Sequence, residues 1–233
     1  RNARLASDMG FNCRLAYCDP DSGVKISEYI DGAETLTPRT VKLEENIRLT
    51  ADILKRLHTS GMTEVNAFDP FAEALRYESL LQGENARMYE GYSQLKSQVF
   101  SLRDRLEELG RDRLPCHNDL VAANLVKNRE GRLFLIDWEY AGLNDPMFHI
   151  AALFLENGFG PEDEELFFHY YFGGEAPEAC REKIHIFKIS QDFLWSIWTV
   201  LKEAKGDNFG SYGQDRFNRC YFNAQSGLRK NAT

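Results

Sequence analysis

The chain uses little cysteine, and none of it in a pattern. Its five cysteines, Cys13, Cys18, Cys116, Cys180 and Cys220, are odd in number and include no C-x-x-C pair. That argues against a zinc site and a disulfide framework and fits a reducing, cytoplasmic compartment. No apolar run approaches the ~18 residues of a membrane span, and no stretch has the layout of a signal peptide, so no membrane insertion is expected. Repeats and low-complexity linkers are missing too. Positive charge is in deficit: 28 Lys and Arg against 36 Asp and Glu leave a formal net charge of −8. Such a chain is a poor partner for nucleic acid or an anionic membrane, yet it suits a cationic small molecule. With 233 residues, 43% of them hydrophobic, there is apolar material for a sizeable core in one domain or two tightly packed ones. The oligomeric state leaves no mark in the sequence.

What is present is a constellation of polar residues. His117-Asn118-Asp119-Leu120-Val121-Ala122-Ala123-Asn124 places an Asn five residues after an Asp, and Asp137 closes the apolar run Leu133-Phe134-Leu135-Ile136. This is the spacing of a kinase catalytic loop, H-x-D-x-x-x-x-N, with a separate metal-binding Asp downstream. Phosphoryl transfer explains the residue types. One carboxylate, Asp119, orients the attacking hydroxyl and accepts its proton. An amide oxygen from Asn124 and a second carboxylate from Asp137 hold Mg2+ on the phosphates of ATP. Arg129-Glu130-Gly131 reads as a hairpin turn between strands over 124–128 and 132–137, which would bring Asn124 and Asp137 together beside Asp119.

With HND-x4-N followed by Leu135-Ile136-Asp137-Trp138-Glu139-Tyr140-Ala141-Gly142, the chain resembles the choline/ethanolamine kinase branch of the aminoglycoside-phosphotransferase-like kinases. It is most similar to the bacterial choline kinases that supply phosphocholine for cell-surface decoration. The resemblance covers nearly the whole chain and implies an α+β, protein-kinase-like fold. Residues 1–31 would be the end of the N-terminal lobe, its last strands and the hinge. Residues 32–233 would be the mostly helical C-terminal lobe. No glycine-rich loop precedes Asp119, and no strand lysine with a helix glutamate partner is evident. A kinase of this class needs both to hold ATP, so most of the N-terminal lobe is expected to lie outside these residues.

Two strands are expected over 11–17 and 24–30, joined by the turn Cys18-Asp19-Pro20-Asp21-Ser22-Gly23. By resemblance, Glu28-Tyr29-Ile30 is the hinge whose backbone contacts adenine; read alone, it is an ordinary strand end before a glycine turn. The rest is mostly helical. Ile47, Ala51, Leu54 and His58 fall on one face of a helix closed by Gly61, with His58 a packed or capping residue. Asp69-Pro70 and Asp145-Pro146 each read as a cap followed by proline at the first helical position. The second of these helices runs to Asn157. Leu95, Val99, Leu102 and Leu106 mark a helix ended by Gly110, a helix with an acidic first turn begins at Pro161, and the longest spans 177–204.

The acceptor is the open question. Trp195 and Trp198, at i and i+3, share a helix face, an arrangement that serves core packing as well as binding. The segment Asp192-Phe193-Leu194-Trp195-Ser196-Ile197-Trp198 is similar to the one lining the choline pocket of choline kinases. Aromatic faces suit a quaternary ammonium, which has no N–H to donate. By resemblance Tyr140 and Tyr212 add walls and Glu156 adds compensating charge, although Glu156 alone would read as a solvated helix-end carboxylate. His117 belongs, by the same resemblance, to the layer bracing the catalytic loop. His149 stands where the family usually has a bracing Asp. The implied reaction is ATP and choline to ADP and phosphocholine. Its rivals are another small acceptor (ethanolamine, thiamine, an aminoglycoside) and a non-catalytic ligand-binding relative.

Overall fold

The Asp, Pro and Gly content of 19–23 forces the chain to reverse, and the side chain of Asp19 accepts from the backbone N–H of Asp21 (3.1 Å) to close that turn. In the computed structural model, which describes residues 1–62, 66–84 and 86–230, the flanking strands β1 (Leu15–Cys18) and β2 (Lys25–Ser27) pair antiparallel. Both are shorter than expected. Phe11 lies outside β1 but is buried, and its carbonyl accepts from the Leu135 N–H at 2.8 Å. A short helix, α1 (Asn2–Asp8), precedes them.

The chain divides into two compact units: Arg1–Ala67 with Asp112–Arg181, and Phe68–Arg111 with Glu182–Thr233. The first unit holds all the strands. β3 (Glu34–Thr35), β5 (Leu125–Lys127) and β6 (Leu133–Leu135) form one antiparallel sheet in that order. The β5–β6 hairpin is the expected one. Gly131 takes φ 80 in its turn, where a Cβ would be strained, and the Asn128 side chain accepts from Glu130 and Arg132 N–H groups. β4 (Leu114–Cys116) pairs antiparallel with β7 (Gly142–Asn144).

Three helices complete this unit. α2 (Glu44–His58) buries Ile47, Ala51, Leu54, Leu57 and His58 along one stripe and packs against α6 (Pro161–Phe172). α5 (Pro146–Asn157) is buried nearly all round, from Pro146 to Phe154, as its apolar sequence, interrupted there by His149 alone, requires. Asp145 caps it by accepting from Met147 N–H (2.8 Å), and Gly158 at φ 61 stops it. At the start of α6 the Gly160 N–H donates to the Asp163 carboxylate at 2.9 Å.

The second unit is helical: α3 (Pro70–Leu80), α4 (Tyr92–Glu108), α7 (Glu178–Ala204, the unit's share from Glu182) and α8 (Tyr212–Lys230). Asp69 caps α3 as expected, accepting from Phe71 and Ala72 N–H groups. In the core Phe193 of α7 stacks on Tyr92 (5.5 Å) and meets Phe100 edge-on (6.3 Å). Burying a ring of this size contributes roughly 1.5–3 kcal/mol. α8 packs on α4 and buries Phe217, Cys220 and Ala224, with the Cys220 thiol donating to the Ile189 carbonyl of α7 (3.4 Å).

Candidate active site

β4 ends at Cys116 and delivers His117, which is fully buried. Its Nε2–H donates to the Ile136 carbonyl (2.7 Å), and its Nδ1 accepts from the Asp119 N–H (3.3 Å). One imidazole thus ties the loop to the strand end that carries Asp137. Burial holds its pKa down at about 4, so it is neutral at pH 7 and can fill both roles. Between them Asn118 sits at φ 66. Asparagine tolerates this left-handed conformation better than most residues. Its amide is fixed by donating to the Tyr140 carbonyl (3.0 Å) and accepting from Asn144 Nδ2 (3.0 Å).

A 3-10 turn over Ala122–Asn124 then returns the chain to Asp119. Asn124 Nδ2 donates to both the carbonyl (3.0 Å) and the carboxylate (2.8 Å) of Asp119. Its amide nitrogen is spent there, which leaves the amide oxygen as the atom able to ligate a cation. The Asn124 carbonyl accepts from Ile136 N–H (3.0 Å), so the residue before Asp137 is bonded directly to Asn124. Asp137 is the second non-glycine residue with a left-handed backbone, at φ 63. Such a conformation costs about 1–3 kcal/mol and persists where the surroundings impose it.

The charges are arranged unequally. Burial pushes the Asp119 carboxyl up to about 6; the Asn124 hydrogen bond opposes this, and the negative charges of Glu156, Asp137 and Glu139 add to it. The Asp137 carboxylate and the Asn124 amide oxygen are hard oxygen donors of the kind Mg2+ takes. The donor set therefore fits the ion. A cavity of about 310 Å3 opens beside Asp137, lined by Asn12, Cys13, Leu15, Lys25, Ser27 and Ile136. Just past β2, Glu28 pairs with Arg14, and Tyr29 is 83% exposed.

Beneath the loop lies a second histidine layer. His149 Nδ1 and His58 Nε2 share a hydrogen bond (2.9 Å), and His58 Nδ1 meets the Tyr171 hydroxyl (2.7 Å). Burial lowers His58 to about 3 and His149 well below its ordinary value. Where an Asp would bring a charge, this chain has a neutral pair. A ligand atom from each of His58, Cys116 and His149 lies within 4.8 Å of the others. The facing ring nitrogens are engaged with one another, however, and the Cys116 thiol turns to the Asn144 carbonyl (3.6 Å).

In the second unit three of the rings named from the sequence, Trp195, Trp198 and Tyr212, are linked through Phe209. Trp195 and Trp198 meet edge to face (6.1 Å), Trp198 meets Phe209 (5.0 Å), and Phe209 meets Tyr212 (6.5 Å). Trp195 is 8% exposed and Tyr212 37%.

A model of the choline/ethanolamine kinase family matches residues 14–171. The chain belongs to that family. It is 32% identical over 228 residues to protein LicA of Haemophilus influenzae, covering 94% of this chain and 66% of that protein. Mouse ethanolamine kinase 2 is 24% identical over 251 residues, covering 95% and 64%. Among solved structures, choline kinase LicA from Streptococcus pneumoniae superposes with a TM-score of 0.88 at 41% identity, over 97% of this chain and 78% of that one. The fold is the α+β, protein-kinase-like one with a helical C-terminal lobe. Aminoglycoside phosphotransferase APH(4)-Ia shares the fold at 15% identity and a TM-score of 0.69.

Several residues of this kinase-family site escaped the sequence reading. Asn157 is buried, donates to the Leu120 carbonyl and accepts from the Ala122 N–H (both 2.8 Å), clamping the catalytic loop from the end of α5. Its signal was a polar residue closing an apolar helix. Trp138 anchors the strand end by donating Nε1–H to the Leu135 carbonyl (2.8 Å) and packs edge-on to His117. Glu139, two residues past Asp137, adds charge against Asp119. Phe209 links Trp198 to Tyr212 from a glycine-flanked loop where nothing marked it.

Proposed function

We propose that this protein transfers the γ-phosphoryl group of ATP to the hydroxyl of choline, giving phosphocholine and ADP. The observation that carries the proposal is the linkage of Asp119, Asn124 and the Ile136–Asp137 strand end through three short hydrogen bonds. That linkage presets a proton acceptor and two oxygen ligands before any substrate arrives. Asp119 orients the choline hydroxyl and takes its proton as the oxygen attacks phosphorus and the bond to the leaving ADP breaks. Asn124 Oδ1 and the Asp137 carboxylate hold Mg2+, which when bound neutralises charge on the phosphates. The backbone of Glu28-Tyr29-Ile30 receives adenine, with residue 31 as the boundary between lobes. A LicA structure determined with AMP, similar to this chain at 41% identity and a TM-score of 0.86, supports a nucleotide substrate.

Acceptor choice follows from the rings. Trp195, Trp198, Phe209 and Tyr212 offer faces to a trimethylammonium group, each well-placed ring contributing roughly 0.5–2 kcal/mol. By the family resemblance, Tyr140 and Glu156 of the first unit are also assigned to acceptor binding. His117 and His149 act on the loop rather than on substrate. A cytoplasmic location is part of this reading, supported by the five free cysteines and by the need for ATP, and the product suits cell-surface decoration. No helix among the described residues is long and apolar enough to cross a membrane. A coupled assay of ADP release with choline, ethanolamine, thiamine and kanamycin tests this. The highest kcat/KM is expected with choline. A preference for ethanolamine would move the acceptor, and no turnover with any of the four would leave a ligand-binding relative.

A further inference from the structure

Asp192 has no part in the function proposed above, yet it is fully buried in the middle of α7. A buried carboxylate persists only when it is well paired. Arg219 alone would achieve that, because its Nε and Nη2 donate to both carboxylate oxygens (2.7 and 2.6 Å) in the bidentate geometry that guanidinium favours. A second guanidinium nonetheless enters: Arg216 Nη1 donates to Asp192 Oδ1 at 3.2 Å. Arg216 is itself only 4% exposed. The reason for this costly second burial lies one turn back on α8. The Arg216 guanidinium carbon stands 4.7 Å from the centre of the Tyr212 ring.

One face of Tyr212 is occupied by a resident cation whose position is fixed from the core, so the plane of this partly exposed ring is held from within. Lys202, with its ammonium 5.5 Å from the Trp198 ring, does something similar from the surface, where its partner is the exposed Asp207 (3.8 Å). We infer that Asp192 and Arg216 are positioning residues for the acceptor: Asp192 holds Arg216 against Tyr212, and Arg216 sets the plane of that ring for the substrate's onium group. This rests on the function proposed above.

The test uses the full chain and steady-state kinetics with choline and ATP. Arg216→Met keeps the length of the side chain and removes its charge. It is expected to raise the choline KM about 3- to 10-fold, with ATP KM and kcat within about twofold. Arg216→Lys, which keeps the charge, should recover part of the loss. In a Tyr212→Ala background Arg216→Met should add nothing, because its effect runs through that ring. Arg216→Gln serves the same comparison if the methionine variant does not fold. An unchanged choline KM in the folded Arg216 variant, or a full additional loss in the Tyr212→Ala background, overturns the inference and leaves Asp192 a purely structural carboxylate. Trp198→Ala separates this from the parent reading. If it raises choline KM while Arg216→Met does not, only the positioning role fails; if neither moves it, the aromatic acceptor site fails as well.

Discussion

The catalytic loop of the first unit and the ring-bearing helix of the second do their work by opposite means. In the loop, function is written into the backbone: Asn118 and Asp137 are the two non-glycine residues with positive φ among the described residues, and they flank the Asp119–Asn124 contact on either side. α7, by contrast, is regular helix throughout, and only its side chains distinguish it. A site built from directional hydrogen bonds fails when one atom is removed. A set of ring faces sums non-directional contributions and degrades in steps. The two regions should therefore answer mutation differently, and that difference can be measured.

The sharpest break is expected at Asp119. Asp119→Ala removes the proton acceptor and should lower kcat at least about 10²-fold. Folding should survive. Burial raises the folded pKa to about 6, above that of an unfolded Asp, so the ionised carboxylate is disfavoured by the native state. The cost is absent below the unfolded pKa and complete above 6. Melting temperatures at pH 8 should then be no lower for the variant than for wild type, while kcat collapses. Wild-type turnover in the variant would remove Asp119 from the mechanism.

Next in size is the metal pair. Asp137→Asn exchanges a charged ligand for a neutral one and should raise the Mg2+ concentration at half-maximal rate by at least about tenfold. Asn124→Ala should raise it less, and it also releases the Asp119 carboxylate from its hydrogen bond. Identical Mg2+ titrations for both variants and wild type would mean the ion is held elsewhere.

On the aromatic side the losses should be graded. Trp198→Ala is expected to raise choline KM roughly 5- to 30-fold with ATP KM unchanged. Trp195 is nearly buried, so Trp195→Ala should combine a similar KM effect with about 3–5 kcal/mol of lost stability. Trp198→Phe should lose less than Trp198→Ala. If both alanine variants lower the melting temperature and leave choline KM untouched, the rings are core and the contrast with the loop disappears.

How much of this could be read from the chain follows the same division. The loop was legible because its chemistry fixes residue types at short spacings: Asn124 and Asp137 bracket one hairpin, and Asp119 lies five residues before Asn124. Caps were legible for the same reason, and Asp145-Pro146 marked the start of α5 to the residue. The β4–β7 pair was not, because each strand is three residues long, β4 carries Pro115, and Leu114 finds Asn144 far along the chain. α8 was missed because its buried apolar side chains, among those described, are Phe217, Cys220 and Ala224 amid polar residues. Asp192 was quoted as part of an aromatic segment, but its partners lie 24 and 27 residues further on, and no local pattern announces a buried charge. Phe209 depends on a loop conformation that composition does not specify.

The smallest effect is the most diagnostic of how the loop is tuned. kcat/KM for choline should rise with pH along an acid limb set by ionisation of Asp119, near pH 6 in the free enzyme. Burial is the main cause of that elevation, and Glu156 is the first of the three carboxylates that add to it. Glu156→Gln keeps the shape and removes the charge, so the limb should move to lower pH. Because burial remains, the limb should stay above the range of an ordinary Asp. The same variant should weaken choline binding slightly at pH 8, where Asp119 is ionised in both proteins and only the lost attraction for the onium is felt. Two readouts from one substitution then separate the roles. A limb that moves with choline KM unchanged makes Glu156 part of the catalytic loop's electrostatics alone. A higher KM with the limb in place makes it part of the acceptor site alone, and neither change would return it to the solvated helix-end carboxylate that its position suggests.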